Sequence, residues 1–278
     1  MKLNDAFECY RKFVLSTPKQ LSTEVGRWNN HIAPVLGRLP LDKIKNLQIV
    51  QLRNCLESKN LSPQSVAHCL SLLRRVMRRA VEWELYPGPV PVFRMPKFDN
   101  RRLRFLSPGE AKLLLENLQA RSEVWHDVGL FALNTGMRAS EIYALQSYHV
   151  DLQHKIAKAV DTKNNLNRSI PLNPPALHVA EKYFAPKSSQ SLAQAQTKYY
   201  IFQEAVEACG FNRGVNDRRE KVCFHTLRHT FASWLVQNGT PLALVSRLLG
   251  HKDIRMTMRY AHLAPDQGMQ AVSVLPLV

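Results

Sequence analysis

The sequence predicts a mainly α-helical protein with one small β-sheet, an α+β fold divided into two domains. Three observations predict it. Apolar residues recur at helical spacing through most of the chain, short β-like segments occur in a single stretch, and a proline-rich segment interrupts the pattern. With 278 residues, the chain is long enough for two domains that each have a core.

A linker is predicted at residues 89–105. The stretch from Tyr86 to Phe105 has four prolines in its first eleven residues and no usable helical period. It separates a helical domain at residues 1–88 from a second domain at residues 106–278, and no internal repeat is visible in either domain.

The first domain is predicted to be helical, with an early helix from Ala6 to Val14 and its best helix after Ser62 and Pro63. Serine caps a helix N-terminus, and proline fits the first helical position. Apolar residues then follow at helical spacing and are predicted to face a core: Val66, Cys69, Leu70, Leu73, Val76, Met77 and Ala80.

Four arginines lie together on another face of that helix: Arg74, Arg75, Arg78 and Arg79. No acidic residue stands four positions away until Glu82, so we expect this stripe to contact phosphates. A solvated face that only aids solubility is the alternative. The formal net charge of +16 favours nucleic acid or another anionic surface as a partner, although charge alone does not choose between them.

The second domain is predicted to open with a capping box at residues 107–110, ahead of a helix at residues 111–118. A second helix should run from Val124 to Leu133 and end near Gly136. Between Val150 and Leu172, two β-like pieces flank a polar turn at residues 163–165. The polar, poorly patterned segment from Ser188 to Gln196 is expected to be a mobile loop.

Several classes of protein are disfavoured by composition. No apolar run approaches the roughly eighteen residues that a membrane span needs, and the N-terminus lacks the features of a secretory signal. A cytoplasmic protein is therefore expected. Five cysteines without a CxxC spacing predict reduced, mostly buried thiols and no structural disulfide.

Four separated islands contain residue types suited to catalysis. They are residues 135–141 (TGMRASE), the polar turn with Lys163, residues 225–228 (HTLR), and residues 249–251 (LGH) followed nine residues later by Tyr260. Each has an ordinary interpretation alone: an arginine–glutamate helix pair, a surface lysine, a weak His-x-x-Arg match and an aromatic at the edge of a core. Together, and in this order, they leave little room for coincidence.

These islands resemble the tyrosine recombinases, or phage integrases, a family of site-specific DNA recombinases. The resemblance is close throughout residues 106–278 and loose over residues 1–90, where it implies a helical core-binding domain. It implies a catalytic set made of Arg138, Lys163, His225, Arg228, His251 and Tyr260. Many phage integrases have an additional N-terminal domain that grips accessory DNA sites, but here the first helix-like segment already resembles the start of the core-binding domain. The chain is therefore expected to lack that domain, either as a simple recombinase or because the sequence is a shortened one.

The resemblance implies a role for each of these residues. Tyr260 would attack a DNA phosphodiester and form a 3′-phosphotyrosyl intermediate, which a DNA 5′-hydroxyl resolves. Lys163 would protonate the departing 5′ oxygen, and His225 would serve in proton transfer. His251 would hydrogen-bond the phosphate, and Glu141 would orient an arginine one helical turn away.

The residue types also suit this chemistry physically. A second negative charge develops on the phosphate during attack, and the forked guanidinium groups of Arg138 and Arg228 can bind both non-bridging oxygens. Tyr260 is a weak nucleophile at neutral pH unless a positive site and a base assist it. The phosphotyrosyl bond retains the energy of the broken bond, so neither a nucleotide nor a metal ion is expected as cofactor.

The expected partner is double-stranded DNA, and the resemblance implies a homotetramer on two duplexes, with accessory proteins as an option. The apolar tail at residues 271–278 should be buried, either on its own domain or on a neighbouring subunit.

Two other functions were weighed: a type IB topoisomerase, which relaxes DNA with similar chemistry, and a DNA-binding accessory protein without catalysis. A zinc site at His225 and His229 is disfavoured because Thr226 stands where HExxH has its acid.

Overall fold

The computed structural model describes residues 1–99, 104–160, 167–185 and 191–266, together with Ser273. The chain divides into two compact units, Met1–Asn100 and Arg101–Val278. The first unit contains helices α1 (Leu3–Val14), α2 (Pro18–Arg27), α3 (Ala33–Leu36), α4 (Asn46–Ser58) and α5 (Pro63–Glu82). The second contains α6 (Pro108–Gln119), α7 (Glu123–Thr135), α8 (Ala139–Tyr143), α9 (Pro174–Phe184), α10 (Tyr199–Ala208), α11 (Phe224–Gln237) and α12 (Leu242–Leu249). This mainly helical architecture with a small sheet is the predicted fold class.

The core of the first unit forms around α5, and its sequence accounts for the helix. The Ser62 hydroxyl accepts a hydrogen bond from the backbone N–H of Ser65 at 3.2 Å, which caps the N-terminus as predicted. All seven apolar residues predicted to face the core are buried. They pack with α1 and with the π-helical turn Trp28–Ile32, where the Trp28 ring stacks on Phe7 at 4.0 Å between centroids.

The predicted linker begins as an extension of this first core. Residues 87–99 have no helix or strand, yet Val90, Phe93 and Met95 pack against the core. The Val92 N–H also donates to the side chain of Asn46 at 2.9 Å. This part of the segment is therefore attached to the first unit.

The arginine stripe lies on the outer face of α5, but two of its members already have carboxylate partners. Arg75 donates to Glu24 at 2.5 Å and to the Tyr10 hydroxyl at 3.0 Å. Arg79 donates to Glu82 at 2.6 Å. The Arg75 pair could not be predicted from the sequence, because its partner lies 51 residues away and no local spacing indicates it.

The second unit opens with the predicted capping box. The Ser107 hydroxyl accepts from the Glu110 N–H at 3.2 Å, and the Glu110 carboxylate accepts from the Ser107 N–H at 2.8 Å. Helix α6 packs on α7, and α7 also packs on α9 and α11. Trp125, near the start of α7, is buried in the middle of this core.

The small sheet is antiparallel, in the order β1 (Val150–Asp151), β2 (Ile156–Ala159) and β3 (Arg168–Pro171). Ala157 lies opposite Ile170, and both face the core. Strands β2 and β3 are the two β-like pieces that the sequence predicts. Lys163 belongs to the connection between them and lies outside the described residues, as does the tail at 271–278 apart from Ser273.

Two expectations were wrong. The loop was predicted from Ser188 to Gln196, of which residues 188–190 lie outside the described residues. The described part belongs to a 3₁₀ helix, Leu192–Lys198, because Leu192 and Ala195 are buried in the core and anchor it. The five cysteines are free thiols, but of them Cys69 alone is buried, and Cys9, Cys55, Cys209 and Cys223 are half-buried. No helix in the described ranges is both long enough and apolar enough to cross a bilayer.

Candidate active site

A tight corner between α7 and α8 places Arg138 at the edge of the site. Helix α7 ends at Gly136, whose φ of +61° is in the left-handed region. A Cβ atom there would lie 2.4 Å from the ring of Phe231, so the close approach also requires glycine. Arg138 follows as the N-cap of α8, and its backbone N–H donates to Glu141 at 2.7 Å.

The buried carboxylate of Glu141 joins two arginines. Its Oε1 accepts from Arg138 Nη1 at 2.7 Å. Arg168, the first residue of β3, donates to both carboxylate oxygens, at 2.9 and 2.7 Å. Burial alone would raise the pKa of Glu141, but the hydrogen bonds and charges of Arg168 and Arg138 outweigh it and lower that pKa to about 2. Glu141 is therefore ionised at neutral pH.

Arg168 also holds the end of α12 in place. Its Nε donates to the Leu248 carbonyl at 2.8 Å. Gly250, which ends α12 with a φ of +65°, lies against the same side chain, since a Cβ there would be 2.8 Å from Arg168 Cδ. The Leu-Gly-His island thus has a structural reason for its glycine, namely the left-handed turn and the packing of Arg168.

Arg228 projects from α11 and is almost fully buried. Its Nη1 donates to the Gly136 carbonyl at 2.8 Å and its Nη2 to the Leu249 carbonyl at 2.5 Å. Burial lowers the pKa of Arg228 to about 9, and the positive charges of Arg138 and Arg168 contribute to the decrease. The guanidinium is still charged at neutral pH, and it is bound to neutral carbonyls in a group of like charges.

His251 follows α12, and its Nδ1 lies 2.7 Å from the Thr257 hydroxyl. Burial, followed by the charges of Arg228, Arg138, Arg259 and Arg168, lowers its pKa to about 3. The imidazole is therefore neutral at physiological pH, with one ring nitrogen as a donor and the other as an acceptor.

Tyr260 lies in the 3₁₀ helix Met258–Leu263, which packs on α11. The side chain is buried, and its hydroxyl is 2.5 Å from Nδ1 of His229. Burial raises the pKa of Tyr260 to about 12, although the charges of Arg259 and Arg228 act in the opposite direction. The phenol is accordingly protonated at neutral pH.

The structure brings together most of the residues singled out in the sequence. Arg138, Arg228, His251 and Tyr260 form one cluster, with Glu141 beneath them. His225 is exposed on the first turn of α11, and its ring lies 4.8 Å from that of His229. The arginines of α5 belong to the first unit, and Lys163 is not described.

Two residues of the cluster were missed as functional by sequence reasoning. Arg168 looked like the start of a strand, although a charged residue at a buried strand position needs a carboxylate partner. His229 was weighed only as a zinc ligand. Its position one helical turn after His225 was the available signal, because residues four apart share a helix face.

The model of the phage integrase family matches residues 104–267, a range that contains all four islands. The chain belongs to the phage integrase family. It is 34% identical over 215 residues to the integrase of Salmonella phage P22, a match that covers 71% of this chain and 53% of that protein. Across the first three phage integrases it matches, the chain spans 53 to 62% of their length.

Two further relatives match along nearly the whole chain. The tyrosine recombinase XerD of Staphylococcus saprophyticus is 27% identical over 286 residues, covering 95% of this chain and 96% of that protein. A lambda integrase tetramer bound to a Holliday junction superposes with a TM-score of 0.74 at 19% identity, covering 96% of this chain and 78% of that chain. The match to the lambda integrase structure shows a shared fold.

Glu141→Gln should lower the free energy of unfolding by roughly 3 kcal/mol at pH 7, because it leaves the buried guanidinium of Arg168 and the partly exposed guanidinium of Arg138 without their carboxylate. Glu116→Gln, which removes an exposed carboxylate 3.9 Å from Lys112, is the matched control and should change it little.

The free energies of unfolding of the two variants should also depend differently on acidic pH. Since the folded pKa of Glu141 is near 2 and its ordinary value is 4.5, its stabilising effect is complete above about pH 4.5 and is lost as pH falls towards 2. Denaturant unfolding at several pH values should show that the stability difference between wild type and Glu141→Gln narrows over this window. A difference that is constant with pH would mean that the carboxylate is not the stabilising group.

Gly250→Ala should destabilise the protein more than Gly210→Ala. Both glycines have positive φ, +65° and +71°, but the space around Gly210 is open, whereas a Cβ at Gly250 meets Arg168. Arg168 is fixed by Glu141 and the Leu248 carbonyl and cannot move aside. Thermal unfolding of the two variants measures the difference, and equal losses would show that Arg168 does not constrain Gly250.

Proposed function

We propose that this chain is a site-specific DNA recombinase in which Tyr260 attacks a DNA phosphodiester. The attack forms a 3′-phosphotyrosyl intermediate and releases a 5′-hydroxyl, and a 5′-hydroxyl of the exchanged strand then resolves the intermediate. The observation that carries the proposal is the cluster itself: a tyrosine hydroxyl within the field of a buried arginine, a neutral histidine and a second, partly exposed arginine.

Arg138 is suited to the first contact with a DNA phosphate, and Arg228 is suited to stabilising the charge that develops on it. Arg138 is one-third exposed in its side chain and accessible to an incoming strand. Arg228 is buried, so its charge is little screened by water, and the neighbouring positive charges already oppose it. A phosphodiester would relieve that repulsion, and the additional charge of the transition state would relieve it further. This is the condition for catalysis by preorganised electrostatics.

His251 contributes a neutral hydrogen-bond donor. If the Thr257 hydroxyl donates to Nδ1, the proton of the imidazole is on Nε2, which can then donate to a non-bridging oxygen of the phosphate. Because burial and the neighbouring arginines lower the pKa of His251 and keep the ring neutral, this donor is available throughout the physiological pH range.

Two proton-transfer roles complete the proposal. Lys163 would protonate the departing 5′ oxygen, which is a poor leaving group as an alkoxide, and His225 would take part in proton transfer from its exposed position on α11. The phosphotyrosyl bond conserves the energy of the broken bond, so rejoining requires neither a nucleotide nor a metal ion.

The proposed partner is double-stranded DNA, bound by the second unit at this site and by the first unit through α5. Within the described residues, Arg74 and Arg78 have no ion-pair partner, so these two members of the stripe are the best candidates for phosphate contacts. The lambda integrase tetramer bound to a Holliday junction supports a homotetramer on two duplexes for this chain. We place this activity in the cytoplasm.

Tyr260→Phe should abolish covalent capture of DNA while leaving DNA affinity near that of wild type, because it removes only the nucleophilic hydroxyl. The probe is a pool of nicked suicide duplexes with randomised flanks, from which captured sequences are recovered on a denaturing protein gel. Tyr148→Phe, at an exposed tyrosine, is the matched control and should capture DNA normally. Capture should persist in excess EDTA.

Adduct formed by Tyr260→Phe would exclude Tyr260 as the nucleophile. Relaxation of supercoiled plasmid without any sequence preference in the captured pool would identify a topoisomerase, and DNA binding without an adduct from wild type would identify a non-catalytic DNA-binding protein.

Replacing Arg74 and Arg78 together by glutamine should flatten the dependence of DNA affinity on salt. Each lost phosphate contact reduces the slope of log K against log[salt] by about 0.9, so the double variant should lose about 2. Replacing Arg75 and Arg79 is the matched control with the same change in charge, and it should have a smaller effect because both are paired with carboxylates. Equal slopes for wild type and both variants would make the stripe a solvated face.

A further inference from the structure

Three rings form a continuous path from the surface to the buried hydroxyl of Tyr260. His225 is exposed at the first turn of α11, and its ring meets that of His229 edge-on, at 4.8 Å between centroids. His229 is buried one turn further along the same helix. Its Nδ1 makes the 2.5 Å hydrogen bond to the Tyr260 hydroxyl. The imidazole in contact with the reacting oxygen is therefore that of His229.

The protonated state of the phenol allows Tyr260 to be the donor in this hydrogen bond. Burial keeps Tyr260 protonated at neutral pH. Its O–H is a donor, and the only acceptor that an imidazole offers is a ring nitrogen without hydrogen. When the phenol donates, Nδ1 of His229 is the acceptor and the imidazole proton is on Nε2. This is the tautomer that can receive a proton from Tyr260.

We propose that His229 is the base that takes the Tyr260 proton during DNA cleavage, an inference that rests on the proposed function. As Oη bonds to phosphorus, the phenolic proton moves to Nδ1 and the P–O5′ bond breaks. The departing 5′ oxygen takes a proton from a separate acid, the role proposed for Lys163. In the resealing step the 5′-hydroxyl attacks phosphorus and gives its proton to the group that acted as the acid, while the P–Oη bond breaks and the imidazolium returns its proton to Tyr260.

The charges around His229 and Tyr260 explain why proton transfer between them would require bound DNA. Arg228 precedes His229 on α11, Arg259 precedes Tyr260 on its own 3₁₀ helix, and the neutral His251 follows α12. His225 lies beside His229 on its surface side. The two arginines oppose a third positive charge on the imidazole. A bound phosphodiester supplies the compensating negative charge, so the base becomes effective only when the substrate is in place.

This assignment gives His225 a different role from His229. The ring nitrogen in hydrogen-bond contact with the Tyr260 hydroxyl is Nδ1 of His229, which in the proposed tautomer accepts the hydroxyl proton. His225 is exposed and close to the surface that DNA must approach, which suits exchange of a proton with His229 or with the leaving oxygen.

The test compares His229→Gln with His225→Gln in single-turnover cleavage of the duplex pool that wild type captures. A glutamine oxygen can accept the hydrogen bond from Tyr260 but cannot take its proton. His229→Gln should slow cleavage by roughly 10²–10⁴-fold at pH 7, the range for a lost general base. Its rate should then rise about tenfold per pH unit towards the pKa of the phenol, whereas the wild-type rate levels off.

His225→Gln should lack this steep rise. Replacing Tyr260 by a fluorinated tyrosine, whose phenol ionises more readily, should restore cleavage to His229→Gln far more than it accelerates wild type or His225→Gln. A merely structural contribution of His229 would lower the rate equally at every pH and would not respond to fluorination.

A second measurement needs no DNA. In ¹⁵N spectra of histidine side chains, Tyr260→Phe should shift the resonance of one unprotonated Nδ1, and that resonance should be missing from His229→Gln. A parallel pH profile for His229→Gln and wild type, or no Tyr260-dependent histidine resonance, would overturn the assignment. Absence of any adduct from wild type would instead overturn the proposed function, and the inference with it.

Discussion

The Glu141 carboxylate is the interaction on which the rest of the site depends. It accepts from the backbone N–H and guanidinium of Arg138, and from both terminal nitrogens of Arg168. One buried anion thereby connects the start of α8, the start of β3 and, through Arg168, the end of α12. Arg138 precedes α8, Arg168 begins β3 and His251 follows α12, so this ion-pair network fixes the relative positions of these three residues of the site.

The same network leaves an excess of positive charge in a buried space. Glu141 offsets one arginine, while Arg228 is bound only by carbonyl oxygens in the described structure and Arg259 lies nearby. Burial, followed by that repulsion, lowers the pKa values of Arg228 and His251. An uncompensated buried charge destabilises a fold unless a partner arrives. A DNA phosphate, the proposed partner, has the required charge and shape, so under the proposed function the destabilising arrangement would also favour binding and attack.

Much of the fold could be predicted because its signals are local. The caps at Ser62 and Ser107 each involve a partner three residues away, and the core face of α5 repeats with the helical period. The site was predictable as a set of islands, because Arg138, His225, Arg228, His251 and Tyr260 match a family pattern. The contacts of Arg168 and His229 were not, since they pair with Glu141 and Tyr260 over 27 and 31 residues. The 3₁₀ helix at Leu192 was missed for a related reason: a polar segment is anchored by two buried residues, which produce no recognisable period.

In the proposed reaction, Tyr260 becomes bonded to the 3′ side of a DNA break. Mass spectrometry of the peptides from captured adduct tests it most directly, after nuclease trimming of the DNA to a short remnant. We expect the remnant on the peptide that contains Tyr260, joined through a 3′-phosphate, with a free 5′-hydroxyl on the released strand. A remnant on another residue, or a 5′-phosphate linkage to Tyr260, would contradict the account.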